Sequence, residues 1–188
     1  ASMKWAPPAS KLYHPFLDRF GSAANANGWY SFDAGGAHFI ALVNVVHLGD
    51  RGMGTLGAEQ IAWLKMDVEG LPASTPIIVF AHFPLWTLYP DWGWGTEDST
   101  TALALLKRFG SVTLLNGHIH QIQQKVEGHM TFHSARSTAY PQPAPGVGAG
   151  PGPLVVPPEK LRSAIGISSI EVRAGTAPIA IIDAPLSA

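Results

Sequence analysis

Two short apolar segments limit the folds open to this 188-residue chain more than any other feature. They are "IIVF" at 77–80 and "VTLL" at 112–115, and neither contains a charged residue. Such segments are typical of strands buried on both faces, which occur in parallel sheets covered by helices. Between them, "STTALALLKRFG" at 99–110 has helical periodicity, a Ser/Thr start and a terminal glycine. The sequence therefore predicts two parallel neighbouring strands joined by a helix.

The remaining segments extend this α/β pattern. "GWYSFDAGGAHFIALVNVV" predicts a hairpin with strands at 29–32 and 38–46 around a Gly-Gly turn. Residues 56–71 repeat apolar side chains at helical spacing, so we expect a helix with one apolar face. Together these elements predict an α/β layered sandwich. Further strands are expected in four segments: 121–128, 130–137, 164–175 and 177–186.

A Pro/Gly-rich segment, "PQPAPGVGAGPGPLVVPP" at 141–158, separates two parts of the chain. Proline removes backbone donors and glycine adds chain entropy, so this segment favours a linker or surface arm over a functional loop. We expect 1–140 to form one partial domain and 159–188 to add strands to that same domain. A weak helical pattern is also present at 13–21.

Composition narrows the classes of partner. The formal net charge is −1 and only 13% of residues are charged, so no nucleic-acid-binding patch is expected. No apolar run reaches the roughly 18 residues that span a bilayer, and "ASMKWAPPAS" has no signal-peptide core. We therefore expect a soluble protein, in a compartment that the sequence leaves open. The chain has no cysteine, which excludes disulfides and thiolate metal sites.

Both apolar segments lead into histidines, His82 after the first and His118 and His120 after the second. The carboxyl ends of parallel strands meet at one edge of a sheet, which is where ligands bind in such folds. Imidazole is a common ligand of transition metals, so the sequence predicts a metal site made by these three residues. For His133 the sequence favours neither a role in this site nor a purely structural role. The other histidines are predicted to be hydrogen-bonding surface residues: His14, His38, His47 and His129.

"AHFP", followed about 35 positions later by "NGHIH", resembles the last two motifs of the calcineurin-like metallophosphoesterases. "GWYSFDAGGAHFIALVNV", "LGAEQIAWL" and "STPIIVFAHFPLW" extend the resemblance over roughly residues 12–140. The resemblance implies the carboxyl-terminal half of the family's α/β/β/α fold and metal-dependent hydrolysis of phosphomonoesters or phosphodiesters. It implies one or two zinc, manganese or iron ions, with His82 and His118 on one ion and His120 on the other, as catalytic and metal-binding residues.

The family's earlier motifs have no counterpart in this sequence: an Asp-x-His, a Gly-Asp with a further Asp, and an Asn-His pair. We therefore expect only the carboxyl-terminal half of such an enzyme. Three histidines can still bind one zinc ion, whereas a two-metal centre needs replacement ligands, without which the site would be impaired or hold no metal. Arg136 is a candidate catalytic contact to an anion, or else an anchor for the Pro-rich arm. The nearest replacement carboxylates are Asp91, Glu97 and Asp98, although charges that favour a helix N-terminus are the preferred interpretation of the last two.

Two other functions stay open. One is an ester hydrolase on the same scaffold, in which Ser134, Ser137 or Ser99 pairs with His133, His118 or His82. The other is a truncated, non-catalytic binding module whose aromatic loop at 86–94 contacts a carbohydrate or a protein. The missing half also leaves apolar sheet surface uncovered, so we expect a homo-oligomer in which a second copy covers that face.

Overall fold

A computed structural model of the chain describes residues 28–172 and 179–186, so the helix predicted at 13–21 lies outside the described residues. A six-stranded mixed sheet runs through the described part. Its strands are β1 Tyr30–Ala34, β2 Ala37–Ala41, β3 Ile77–Ala81, β4 Val112–Asn116, β5 Gln123–Glu127 and β6 Met130–Ser134. Their order across the sheet is β1-β2-β3-β4-β6-β5.

The four central strands are parallel, and the two edge strands run antiparallel to them. The pairing brings the carboxyl ends of the central strands level. Ala81 of β3 lies opposite Asn116 of β4, and Asn116 lies opposite Ser134 of β6. The parallel pairing predicted for the two apolar segments is therefore confirmed.

Two helices cover one face of the sheet. They are α1, Ala58–Glu69, and α2, Ser99–Leu106, and α2 connects β3 to β4 as predicted. Leu64 of α1 and Leu106 of α2 are both fully buried in the main core. Burying a side chain of this size contributes about 1.5–3 kcal/mol, so this layer is a main source of stability. No helix in the described ranges is long and apolar enough to cross a membrane.

Part of the opposite face is covered by a second, two-stranded sheet. Its strands, β7 Gly166–Glu171 and β8 Ala180–Pro185, pair antiparallel. Ile170 and Ile181 pack against a smaller cluster that includes Ile78 and Leu115. The described chain thus has a helix layer, a large sheet and a small sheet, which confirms the predicted α/β layered sandwich.

Three phenylalanines stack across the part of this face near β1. The ring centroids of Phe32 and Phe39 are 4.8 Å apart, and those of Phe39 and Phe80 are 6.2 Å apart. Phe32 is 43% exposed and Phe80 is 38% exposed. The small sheet therefore leaves an aromatic strip open to solvent within the described chain.

The hairpin is present, but its second strand is shorter than the predicted 38–46. It ends at Ala41, and the pairing with β3 stops after the N–H of Leu42 donates to the Phe80 carbonyl, because Val43 bonds to a side chain of α1 instead. The amide side chain of Gln60 in α1 exchanges two hydrogen bonds with the backbone of Val43, each 2.7 Å long.

The Pro/Gly-rich segment has no helix or strand between 141 and 157, as predicted, and α3, Pro158–Ala164, follows it. The proposed division into 1–140, 141–158 and 159–188 stays a prediction.

His38 differs from its prediction as a surface residue, since it is buried between β1, β2 and α1. Its ring nitrogens lie 2.7 Å from an Asp33 carboxylate oxygen and 2.9 Å from one of Asp67. Burial alone would lower the pKa of His38, but the hydrogen bonds and charges of Asp67 and Asp33 outweigh it and raise the pKa. His38 therefore joins the hairpin to α1, and the two contacts become ion pairs when its ring is protonated.

The raised pKa makes this contribution to stability dependent on pH. It is present below the unfolded-state pKa of about 6.5 and is lost as pH rises through the higher folded-state pKa. We expect His38→Gln to lower the free energy of unfolding by about 1–2 kcal/mol at pH 6, and by less at pH 9. Urea denaturation at both pH values measures this, with the exposed His129→Gln as control. Equal losses at the two pH values would contradict the assignment.

Candidate metal centre

His82 and His118 meet at the carboxyl edge of the sheet. His82 directly follows β3, and its carbonyl oxygen accepts a hydrogen bond of 3.2 Å from the N–H of Gly117, directly after β4. This contact continues the strand pairing by one residue. It leaves Nε2 of His82 3.4 Å from Nδ1 of His118. The predicted convergence of these two histidines is therefore present.

The backbone of the histidine turn, Gly117–His120, is not extended. His118 and His120 have φ angles of 65° and 56°, in the left-handed region. Between them, Ile119 is fully buried, and its N–H donates to the Gly117 carbonyl at 2.7 Å. Left-handed conformations of non-glycine residues cost about 1–3 kcal/mol each and cluster at functional sites. The turn holds two such residues in succession around one buried anchor.

The spacing of the His82 and His118 nitrogens suits a shared ion. Histidine nitrogens lie about 2.0–2.1 Å from a tetrahedral zinc, which places two of them about 3.3–3.4 Å apart. The observed 3.4 Å agrees with that value. When both facing nitrogens are unprotonated, this distance is compatible with one shared ion.

Burial and mutual repulsion keep these rings neutral. Burial, followed by the charges of His82 and His120, lowers the pKa of His118 to about 4. The pKa of His82 is also lowered, by desolvation of its ring and by His120, although the residue as a whole is exposed at the rim. Metal binding requires the neutral form of histidine, which both therefore hold at neutral pH.

His120 has the hydrogen-bond pattern of a metal-binding histidine. Its Nδ1 lies 2.8 Å from the carbonyl oxygen of Tyr140. Because a carbonyl only accepts, Nδ1 carries the proton and Nε2 keeps its lone pair. Histidines that bind metals commonly donate their other nitrogen to a carbonyl or carboxylate in this way. In 28–172 and 179–186, however, no group of three His, Asp or Glu side chains is arranged to hold an ion.

The predicted replacement carboxylates have other partners. Asp91 pairs with Arg51 at 2.7 Å, and a Glu97 oxygen accepts a hydrogen bond of 2.6 Å from the N–H of Asp50. Asp98 precedes α2, but its carboxylate accepts hydrogen bonds from the backbone before α1, at Leu56 and Gly57. These acids therefore tie loops together.

Arg136 lies against α3, where its Nη1 donates to the carbonyl oxygen of Ser163 at 3.1 Å. This contact matches the anchoring alternative, and α3 is the element that follows the arm. A role for Arg136 in binding an anion stays a prediction.

A cavity of about 460 Å³ opens beside His82. Its polar lining includes His82, Asn116, His133 and Ser168, and its apolar lining includes Phe80. The cavity lies at the carboxyl edge of the parallel strands, where ligands bind in α/β sheets.

His133, left open by the sequence, is a buried part of this wall. Its Nδ1 lies 3.0 Å from the Gln124 amide nitrogen, and its Nε2 lies 3.1 Å from an Asp183 carboxylate oxygen. The same oxygen accepts a hydrogen bond of 2.5 Å from Ser168. Sequence reasoning missed both Asp183 and Ser168. No local pattern links the small sheet to His133, which lies 50 positions before Asp183.

Asn44 is a second residue that sequence reasoning missed. It is fully buried and exchanges two hydrogen bonds with the backbone of Phe83, at 3.0 and 3.1 Å. It also donates to the hydroxyl of Thr96, which in turn donates to the Pro84 carbonyl. The only signal was an amide inside the apolar run "LVNVV". This network holds the backbone that follows His82.

The two alternative functions gain little from the geometry. Across the described ranges, no serine hydroxyl hydrogen-bonds to a histidine ring, and the Ser134 hydroxyl instead accepts from Asn116 at 2.7 Å. In the aromatic loop, Trp86 and Trp94 are buried, so half of its four large rings are unavailable as a contact surface.

Comparison with known proteins points to one class of enzyme. The chain is 30% identical to purple acid phosphatase 15 of Arabidopsis thaliana over 123 residues. This match covers 61% of the chain and 22% of that protein. It is 37% identical over 86 residues to purple acid phosphatase 23 of the same plant, covering 45% and 15%. The matches thus span about a fifth or less of these relatives. No protein-family model matches the chain.

Solved structures give weaker likenesses. A dimetal phosphatase from Danio rerio aligns with a TM-score of 0.48 at 14% identity, covering 58% of this chain and 49% of its own. PhoD aligns with a TM-score of 0.47 at 15% identity, covering 71% and 34%. Because both TM-scores are below 0.5 and both identities are low, neither likeness gives information about the site.

The sequence matches make the purple acid phosphatases homologues of this chain over the matched residues. The predicted resemblance to part of the calcineurin-like metallophosphoesterases is thereby confirmed.

Removing the Asn44 amide should destabilise the fold, because buried backbone groups of Phe83 would lose their partners. We expect Asn44→Ala to lower the free energy of unfolding by about 2–4 kcal/mol, with a smaller loss for Thr96→Val. Urea denaturation measures both, and the exposed Thr101→Val is the control for the threonine change. A loss for Asn44→Ala no larger than that of the control would show that the network is dispensable.

Proposed function

We propose that this chain carries a metal-binding part of a phosphoesterase, which hydrolyses phosphomonoesters or phosphodiesters. The observation that supports this most strongly is the pair of neutral histidines, His82 and His118, with ring nitrogens 3.4 Å apart at the carboxyl edge of a parallel sheet. The purple acid phosphatase homologues supply the reaction class. Because the matches cover 22% and 15% of those proteins, the proposal concerns this site and not their whole activity.

In this proposal His82 and His118 hold one divalent zinc, manganese or iron ion, and His120 holds the same ion or a second one. Such an ion, when bound, polarises a phosphoryl oxygen and lowers the pKa of a water molecule. The residues of the chain prepare the histidines for binding. Burial keeps the His118 ring neutral, and the Tyr140 carbonyl fixes the tautomer of His120.

The cavity beside His82 is suited to the organic part of the ester. Its volume of about 460 Å³ lies in the usual range for small-molecule sites, about 300–1,000 Å³. Its wall joins apolar side chains such as Phe80 and Leu115 to the polar edge at Asn116. A substrate placed there would extend its phosphoryl group towards the histidine turn.

Metal binding should depend on the predicted ligands. We expect the protein to bind zinc in a calorimetric titration, and His82→Ala or His118→Ala to weaken binding more than tenfold, since even outer partners of metal ligands are worth about 10–100-fold. The matched control is His129→Ala, an exposed histidine on the β5–β6 turn. Unchanged affinity in both site variants would contradict the proposed ligands.

Hydrolysis separates the proposed function from its alternatives. We expect metal-loaded protein to cleave an aryl phosphate and a chelator to abolish this cleavage. Chelator-insensitive cleavage of a short acyl ester would instead support the Ser/His hydrolase. A folded protein inactive on both substrates would support the binding module.

The exposed aromatic strip of Phe32 and Phe80 motivates the proposal that a second copy covers this face. We expect light scattering at micromolar concentration to give a mass above that of the 20.0 kDa chain. Replacing Phe32 by Ser should shift the mass towards the monomer. A monomeric mass for the unmodified protein would rule this out.

A further inference from the structure

Tyr140 and the first residues of the Pro-rich arm that follows it contact the histidine turn directly. We name residues 140–143 the arm clamp. The side-chain amide of Gln142 donates to the carbonyl oxygen of His118 at 2.9 Å. Gln121, just after the turn, donates to the carbonyl oxygens of Gln142 and Pro143 at 3.1 and 2.5 Å. With the bond from His120 to Tyr140, these contacts join the arm to both sides of Ile119.

These contacts fall where the backbone is strained. His118 and His120 are two of the three non-glycine residues with positive φ in the described chain. Such conformations persist only where surrounding contacts determine them. Burial of Ile119 fixes the middle of the turn and Phe83 packs on the His118 ring, but neither contact involves the His118 carbonyl or the His120 ring. The arm clamp supplies the contact at each of those two points.

The orientation of the Gln142 amide supports a positioning role. Because the His118 carbonyl only accepts, the nitrogen of the amide must face it. The amide oxygen is then buried without a hydrogen-bond partner among the described residues. An unpaired buried polar atom costs free energy, about 1–3 kcal/mol. The Gln142 side chain thus keeps its hydrogen bond to the His118 carbonyl although its own amide oxygen has no hydrogen bond from the described residues.

We propose that Gln142 is a positioning residue, which holds His118 and His120 in the left-handed conformations that aim their rings at the candidate metal site. The arm, predicted as a linker or surface segment, is then part of that site through residues 140–143. The effect on metal binding rests on the proposed function, whereas the effect on the backbone of the turn does not.

The first experiment uses the metal-free full chain and is independent of any activity. Gln142→Met keeps the length of the side chain and removes its donor. We expect the backbone chemical shifts of His118 and His120 in NMR spectra to move towards the values of a chain that samples several backbone conformations. We also expect the Ile119 amide hydrogen to exchange faster with solvent. Val155→Ala, an exposed position of the same arm, is the control. Unchanged shifts and exchange in Gln142→Met would overturn the proposal.

The second experiment tests whether the position of the turn matters to a metal. Cobalt(II) is the probe, because its visible absorption reports ligand geometry. We expect Gln142→Met to weaken cobalt binding about tenfold or more and to change the spectrum of the bound ion, while Val155→Ala changes neither. A variant that is less stable but shows the same affinity and spectrum would mean that Gln142 only anchors the arm, which overturns the proposal.

A second substitution guards against misfolding. Gln142→Glu keeps the shape of the side chain but places acceptors only against the His118 carbonyl, so we expect the same shift changes in the metal-free chain. If the unmodified protein binds no cobalt, the proposed function fails, and the NMR comparison still decides whether Gln142 positions the turn.

Discussion

The parallel pairing of β3 with β4 is the interaction on which the candidate site depends. It sets Ala81 opposite Asn116, so that the chain leaves both strands at the same level. The next hydrogen bond, from Gly117 to the His82 carbonyl, extends the pairing past the strand ends. A shift of register by one residue would move side chains to the other face of the sheet and separate the two histidines. The approach of His82 to His118 is thus a consequence of strand register, which α2 and the main core maintain.

A second constraint is the strain stored in the histidine turn. The left-handed residues on either side of Ile119 cost free energy, and Ile119 and the arm clamp are the contacts that offset it. The same packing withdraws water from the His118 ring, which holds its pKa near 4 and keeps it neutral. Backbone strain and burial therefore act together, since one aims the rings and the other keeps their lone pairs available.

Much of the fold could be predicted from the sequence, because the information is local. The two apolar segments, the helix between them and the histidines after each strand are readable as patterns over a few residues. The same holds for the arm, whose proline and glycine content excludes regular structure. The convergence of His82 with His118 followed from parallel pairing alone.

The parts that could not be predicted depend on distant partners or on backbone conformation. His38 looked like a surface histidine, but Asp67, 29 positions later, is a hydrogen-bond partner that holds it in a buried position. The partners of Asn44 lie 39 and 52 positions away, and Asp183 reaches His133 from the small sheet. The left-handed angles of His118 and His120 were also not predicted, because histidine adopts such angles more often than most residues but still far less often than glycine.

The central claim is that His82 and His118 share one metal ion, and crystals grown with zinc test it most directly. Anomalous diffraction at the zinc absorption edge should give a peak about 2.0–2.1 Å from both Nε2 of His82 and Nδ1 of His118. A crystal with zinc bound elsewhere and no peak between these two nitrogens would contradict the account.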